Sequence, residues 1–293
     1  MNATRLLTPC LLLIGSLGLQ ASVSYSVTGS TYSQSFDTLP STPLNASLGT
    51  SPNGWLDDSA SPAAGQFSIP GWYLYHPTSV TEGGANGHQR LRASTGSSGT
   101  GAFYSFGSAA LPGDRALGSV GANTLAPDGQ TGNDAGNLYF ALRLSNNTLD
   151  VLDNITVGFT GEQWRDSGAA VAETMSFGWS TSALAVNDPS LSFNNVSSLA
   201  WTSPQASASI ATLDGNAAAN RVVLAPVTIT GINWLPGTDL WLRWTDPQLS
   251  GKVDQGMSID DFSLSAAAVA PEPSVMALLG LAGAGLFALR RKK

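Results

Sequence analysis

The chain has 293 residues, of which 11% are charged and 42% hydrophobic, with 32 Gly and one Cys. This composition excludes a disordered polymer and an intrachain disulfide framework, and it leaves room for one large all-β domain with its own core. Residues 22–268 carry 8 Lys and Arg against 19 Asp and Glu, a net −11, which argues against nucleic acid or anionic lipid as a partner of that stretch.

In chain order, the first segment is an export signal. Arg5 supplies a short positive region, Leu6 to Leu19 is an apolar run, and Leu19-Gln20-Ala21 ends with a small residue at the expected cleavage position. Residues 1–21 therefore read as a signal peptide, helical over its apolar part. Cys10 lies inside that run with Pro9 before it, which is the wrong context for lipidation.

From Ser22 to Ala268 the apolar period is two. Tyr25–Ser35, Gly71–Tyr75, Gly101–Phe106 and Ala172–Ser180 are short strand candidates. In Asn137–Ser145, Leu138, Phe140, Leu142 and Leu144 share one face and Tyr139, Ala141 and Arg143 the other. Ile155, Val157 and Phe159 alternate with polar or small residues. Arg221–Thr230 is a further strand, with Pro226 marking an edge or a break. Leu240, Leu242 and Trp244 oppose Trp241 and Arg243 on the next strand, and Ser258–Leu264 is the last. Turn clusters separate them, among them Ser51-Pro52-Asn53-Gly54 and Ala126-Pro127-Asp128-Gly129. Sustained helical spacing, a Pro-rich linker and an internal repeat are all missing. The expectation is one domain over 22–268: an all-β, antiparallel β-sandwich of jelly-roll type.

The last segment, residues 269–293, is set apart. Ser274 to Leu289 is sixteen uncharged residues, about 24 Å as a helix, and Arg290, Arg291, Lys292 and Lys293 follow directly. A bilayer core is roughly 30 Å thick, so 274–289 is a short transmembrane helix whose terminal cations stop it on the cytoplasmic side. Pro271-Glu272-Pro273, the Gly/Ala/Leu-rich helix and the basic terminus together resemble the PEP-CTERM sorting signal. That resemblance implies processing by a membrane-embedded exosortase near Pro271, Glu272 and Pro273. The body would first be anchored in the inner membrane and then released to the cell surface or extracellular matrix of a Gram-negative bacterium that makes exopolysaccharide.

The body also resembles a jelly-roll module of bacterial exported proteins. The matching elements run from Ser35-Phe36-Asp37-Thr38-Leu39 through Gly161-Glu162-Gln163-Trp164-Arg165 to Trp241-Leu242-Arg243-Trp244-Thr245-Asp246. Its Ser258-Ile259-Asp260-Asp261-Phe262 ending is similar to the last strand of MAM-type domains. This resemblance implies a fold and no activity.

Three residue sets could carry chemistry. Asp246, Asp254, Asp260 and Asp261 fall within sixteen positions. Calcium takes about six to eight oxygens, and Asp246, Asp260 and Asp261 are its candidate ligands; ion pairing with Arg243 or Arg165 is the competing reading. Alternation puts Asp260 and Asp261 on opposite faces; if Asp260 shares the face of Phe262 and Leu264, it is the buried one. In Glu162-Gln163-Trp164-Arg165, Glu162 lacks a carboxyl partner at any recognisable spacing and is read as paired with Arg115 or Arg243. Eight Trp suit either a packed core or a sugar-stacking surface, the core being favoured. His76 and His88 lack a nucleophile elbow. The expected function is a non-catalytic exported surface or matrix protein, binding exopolysaccharide. The alternative is a secreted polysaccharide-acting hydrolase using Glu162 and Asp246.

Overall fold

The computed structural model describes residues 22–42, 69–75, 91–121, 137–186, 188, 192–249 and 254–268. The signal segment, the 269–293 tail with Pro271, Glu272, Pro273 and Arg290–Lys293, and both histidines lie outside the described residues.

Among the described residues, fifteen strands form two sheets. The first sheet holds β1 (Val23–Tyr25), β3 (Trp72–Tyr75), β7 (Leu138–Asn146), β9 (Thr174–Ser180), β10 (Asn194–Asn195), β11 (Trp201–Thr202) and β14 (Asp239–Asp246). The second holds β2 (Thr31–Gln34), β4 (Leu91–Ser94), β5 (Ala102–Phe106), β6 (Ala116–Val120), β8 (Leu152–Ser167), β12 (Ile210–Thr212), β13 (Arg221–Trp234) and β15 (Gly256–Ala268). A 3-10 turn spans Ser197–Leu199.

The inner faces are the alternating positions. Leu138, Phe140, Leu142 and Leu144 on β7 and Leu240, Leu242 and Trp244 on β14 join Phe103, Leu117, Phe159, Ile259, Phe262 and Leu264 of the second sheet in one core. Aromatic contacts tie the layers: Phe103 meets Phe140 edge-on at 5.4 Å and Trp244 meets Phe262 at 5.4 Å. Tyr139, Ala141 and Trp241 sit on the other side of the first sheet in a separate cluster. Trp241 and Trp244 therefore serve opposite faces of one strand.

The structure departs from the sequence reading in several places. The sandwich is mixed, because β1 pairs with β7 and β4 with β5 in parallel. Tyr25–Ser35 is two strands, split by a turn in which Gly29 has φ +80°, a conformation glycine reaches without strain. The Ile155–Phe159 strand extends over sixteen residues and absorbs Glu162 to Arg165. Pro226 marks a register shift, between Leu224 and Val227, on a strand paired along one edge with β8. Strand β6 escapes periodicity because it reads Ala-Leu-Gly-Ser-Val. Gly118 is needed there, since a Cβ would lie 2.6 Å from the Phe106 ring.

Two poles follow from the registers. Ser22 reaches Ser145 at 2.7 Å and Ala268 pairs with Leu152, so the body's two ends share one pole, here the terminal pole. The Tyr25 hydroxyl donates to Ser30 O at 2.7 Å and accepts from Ala266 N–H at 2.8 Å, fixing first strand to last. The start of β15, the ends of β6 and β8 and the end of β14 lie at the distal pole. The 13 residues of β15 separate the poles by roughly 40 Å, at about 3.3 Å per residue.

Candidate functional site: buried carboxyls and the sorting tail

At the distal pole, Asp246 closes β14 and turns inward, where its Oδ2 accepts a hydrogen bond from Ser119 Oγ. Ser119 pairs with Phe103 and Met257, both core residues, so this contact lies between the sheets. Glu173 comes from the loop before β9. Its Oε2 accepts the Gln255 backbone N–H at 2.9 Å, and its carboxyl lies beside that of Asp246. Glu173 Oε1 and Asp246 Oδ1 are buried with no hydrogen-bond partner. Burial pushes both carboxyls up, and for Glu173 the neighbouring Asp246 and Asp254 add to it. Asp254 accepts the Leu249 N–H at 3.2 Å, beside Gly121, where a Cβ would stand 1.8 Å from its Oδ2. Burial, then the charge of Asp246, pushes Asp254 up to about 8.

A second carboxyl pair lies on the far side of the second sheet. Glu162 pairs in register with Ser258 and Asp260 with Thr160, so the two carboxyls are diagonal neighbours on one face. That face is covered: Trp164 stacks on Phe106 at 6.0 Å, and Gly215 lies against the Trp164 ring. Glu162 Oε2 accepts from Trp164 Nε1 at 3.1 Å, and Asp260 Oδ1 from the Asp261 N–H at 2.7 Å. Both are buried, at 2% and 4% exposure. Burial pushes Glu162 up to about 7, and burial followed by the Glu162 charge pushes Asp260 up to about 9. At neutral pH Asp260 is therefore an uncharged acid.

The structure thus separates residues that the sequence spacing grouped. Asp246 faces the inter-sheet space at the distal pole. Asp260 lies on the opposite face of the second sheet, and Asp261 is exposed on a bulge at φ +49°. Asp246, Asp260 and Asp261 are not brought together, and neither are Glu162 and Asp246. Among the described residues no group of three or more His, Cys, Asp or Glu is arranged to hold a metal ion. The companion of Asp246 is Glu173, an isolated acid in the sequence.

Nor do the arginines pair as expected. Arg115 binds the Ser105 carbonyl and hydroxyl, and burial lowers it to about 10. Arg165 points at the carbonyls of Gly96 and Ser97. Arg243 donates to Val186 O and Asp188 O and lies 3.8 Å from the Phe193 ring centre and 4.5 Å from that of Tyr139. Among the described residues the one close ion pair is Arg143 with Asp239, at 2.6 Å. Carbonyl oxygens, a hydroxyl and ring faces take the guanidinium groups of Arg115, Arg165 and Arg243, and the buried carboxyls accept from N–H and O–H donors.

Six tryptophans, Trp72, Trp164, Trp201, Trp234, Trp241 and Trp244, are at most 2% exposed. They are packing residues, not a sugar platform.

Beyond the sandwich, residues 269–292 match the PEP-CTERM protein-sorting motif. The chain carries a PEP-CTERM sorting tail. It is accordingly an exported protein, anchored at the membrane and then processed. Among the described residues no helix is long and apolar enough to cross a membrane; the 274–289 run lies outside them.

No curated protein matches the chain. Among solved structures, the K1 cleaved adhesin domain of Lys-gingipain from Porphyromonas gingivalis W83 is similar at 15% identity and a TM-score of 0.33, covering 82% of this chain and 100% of that one. The K3 domain of the same protein gives 14% and 0.31, covering 66% and 89%. The TmCBM61 complex with β-1,4-galactotriose gives 10% and 0.25, covering 52% and 71%.

Proposed function

We propose that this chain is a non-catalytic surface or matrix protein of a Gram-negative bacterium, sorted by an exosortase through Pro271, Glu272 and Pro273, with a jelly-roll body that binds exopolysaccharide. The PEP-CTERM match at 269–292 carries the reading. Burial of Glu162 and Asp260, and the placement of Glu162 and Asp246 on opposite sides of the second sheet, support the absence of hydrolysis, because a polymer needs both carboxyls at one open site. With six tryptophans buried, sugar contact falls to the polar surface and the half-buried Trp179. Deleting residues 269–293 is expected to cut the fraction of the protein on the outer surface and in the matrix at least tenfold, measured by fractionation and blotting. Normal sorting of the truncated chain would overturn the proposal. A glycan screen of the processed protein tests the binding half.

A structural calcium ion is a second reading, now centred on Glu173 and Asp246. The two partnerless oxygens favour it, since a buried carboxyl pair is neutralised either by a proton or by a cation. With only two carboxylates, the rest of the shell would be hydroxyl, carbonyl and water. On this reading millimolar calcium raises Tm by about 5 °C over chelator, and Asp246→Asn abolishes the rise. Superimposable melts in calcium and chelator would remove it.

A further inference from the structure

The terminal pole has a property that the core does not require. Nine large apolar side chains are exposed among the described residues, and four of them, Val27, Leu149, Val151 and Leu235, lie here. They occupy three adjoining turns: 26–30 after β1, 147–151 between β7 and β8, and 235–238 between β13 and β14. Scattered exposed apolar residues are ordinary on any protein; a concentration at one end is not. Leu149 is 98% exposed and Val27 61%.

These turns are built to hold their tips outward. Asn146 Oδ1 accepts the Thr148 N–H at 3.0 Å and the Thr148 hydroxyl at 2.7 Å, while its Nδ2 donates to Asp150 O at 3.0 Å and Trp234 O at 2.9 Å. One buried amide thus pins both the 147–151 turn and the entry to 235–238. Trp234 Nε1 closes the latter on Thr238 O at 2.9 Å, and Thr28 Oγ1 ties the first turn to Asp150 at 2.7 Å. With its backbone fixed in this way, Leu149 is held away from the core.

The sequence beyond Ala268 says what faces this pole. Five residues, 269–273, separate β15 from the apolar run that begins at Ser274. Fully extended they span about 20 Å. While the tail is seated in the membrane, the terminal pole therefore stands at the headgroup layer. The charges nearby are Asp150, Asp153 and the Arg143–Asp239 pair, so attraction to anionic lipid has no basis here. Apolar insertion does.

We infer that the terminal pole is a membrane-docking surface. In the anchored form, Val27, Leu149, Val151 and Leu235 dip into the interface of a zwitterionic bilayer and hold the sandwich upright, with the distal pole roughly 40 Å out. The inference rests on the tail being membrane-seated, and its test reports that separately. The signal-processed chain, residues 22–293, which has no cysteine of its own, is reconstituted in phosphatidylcholine vesicles with single spin labels at Leu149→Cys, Leu235→Cys, Val171→Cys or Ala282→Cys. Val171 is the control, being 39% exposed at the distal pole. Labels at 149, 235 and 282 are expected to be open to oxygen and shielded from a water-soluble nickel relaxant at least threefold more than the label at 171. Labels at 149 and 235 matching 171, with 282 in the bilayer, overturn docking while leaving the tail reading intact. An aqueous label at 282 removes the premise and the inference with it. Labels at 149 and 235 that are aqueous in vesicles but shielded in native membranes assign the pole to a protein and also overturn it.

Discussion

Trp244→Ala is expected to destabilise the body by about 3–5 kcal/mol, a fall in Tm of roughly 10 °C. The indole is fully buried and is the point where the two sheets meet. It stacks on Trp72 at 5.5 Å and takes edge contacts from Phe177 at 5.1 Å, Phe262 at 5.4 Å and Phe159 at 5.6 Å. Trp72 and Phe177 belong to the first sheet, Phe159 and Phe262 to the second, so truncation opens a cavity that neither sheet can fill alone. Trp244→Phe should cost far less, about 1–2 kcal/mol, for a specific reason. The Trp244 indole N–H has no hydrogen-bond partner, so removing it recovers part of a desolvation cost while most of the ring volume stays. Urea melts of the three proteins check this. Equal losses for the Ala and Phe variants would show that the unpaired N–H is not a cost.

What made this core legible in the sequence was alternation. Leu138 to Leu144 and Leu240 to Trp244 carry apolar residues at every second position because each strand has an inner face, and the structure places those residues in one core. The limits of β8 were not legible for the converse reason. From Phe159 to Ser167 every residue is buried, since the outer face is also covered, so polar residues there do not mark solvent. Glu162 consequently looks like a surface acid in the sequence and is a buried one in the fold. The acidic run from Asp246 to Asp261 misled in another way. Proximity along the chain suggested one site, yet a strand reversal and the pleat send Asp246 inward, Asp260 outward under cover and Asp261 to solvent. A period of two would put Asp260 on the inner face with Phe262 and Leu264; the bulge at Asp261 shifts the phase, so Asp260 lies outward and is buried by what covers that face. Nor was Glu173 beside Asp246 legible, because nothing local distinguishes a loop acid that packs between sheets from one that faces water.

The buried carboxyls make the second large effect one of pH, with a sign opposite to ordinary acid denaturation. Burial raises Glu162 to about 7 and Asp260 to about 9 in the folded chain, whereas unfolded carboxyls titrate near 4. Between those values the folded state holds protons that the unfolded state has lost, so stability falls as pH rises. The contribution is complete below about pH 4 and is lost progressively as the pH passes through 7 towards 9. Asp166, held below its usual range by the Ser207 and Gly168 N–H groups despite the cost of burial, works the other way at the acid end. In chelator, Tm is therefore expected to be highest near pH 5 and roughly 10 °C lower at pH 9, corresponding to about 3 kcal/mol. Asp260→Asn isolates the cause. The amide keeps an oxygen for the Asp261 N–H and never ionises, so the variant should match the parent at pH 5 and melt about 5 °C higher at pH 9. A parent Tm that stays level or climbs from pH 5 to 9 would show that these carboxyls ionise freely in the folded chain, and an unchanged profile in Asp260→Asn would place the effect elsewhere. The same measurement separates the two carboxyl clusters. Calcium added at pH 8, compared between the parent and Asp246→Asn, tests Glu173 and Asp246 alone, because that substitution leaves the slope set by Glu162 and Asp260 in place.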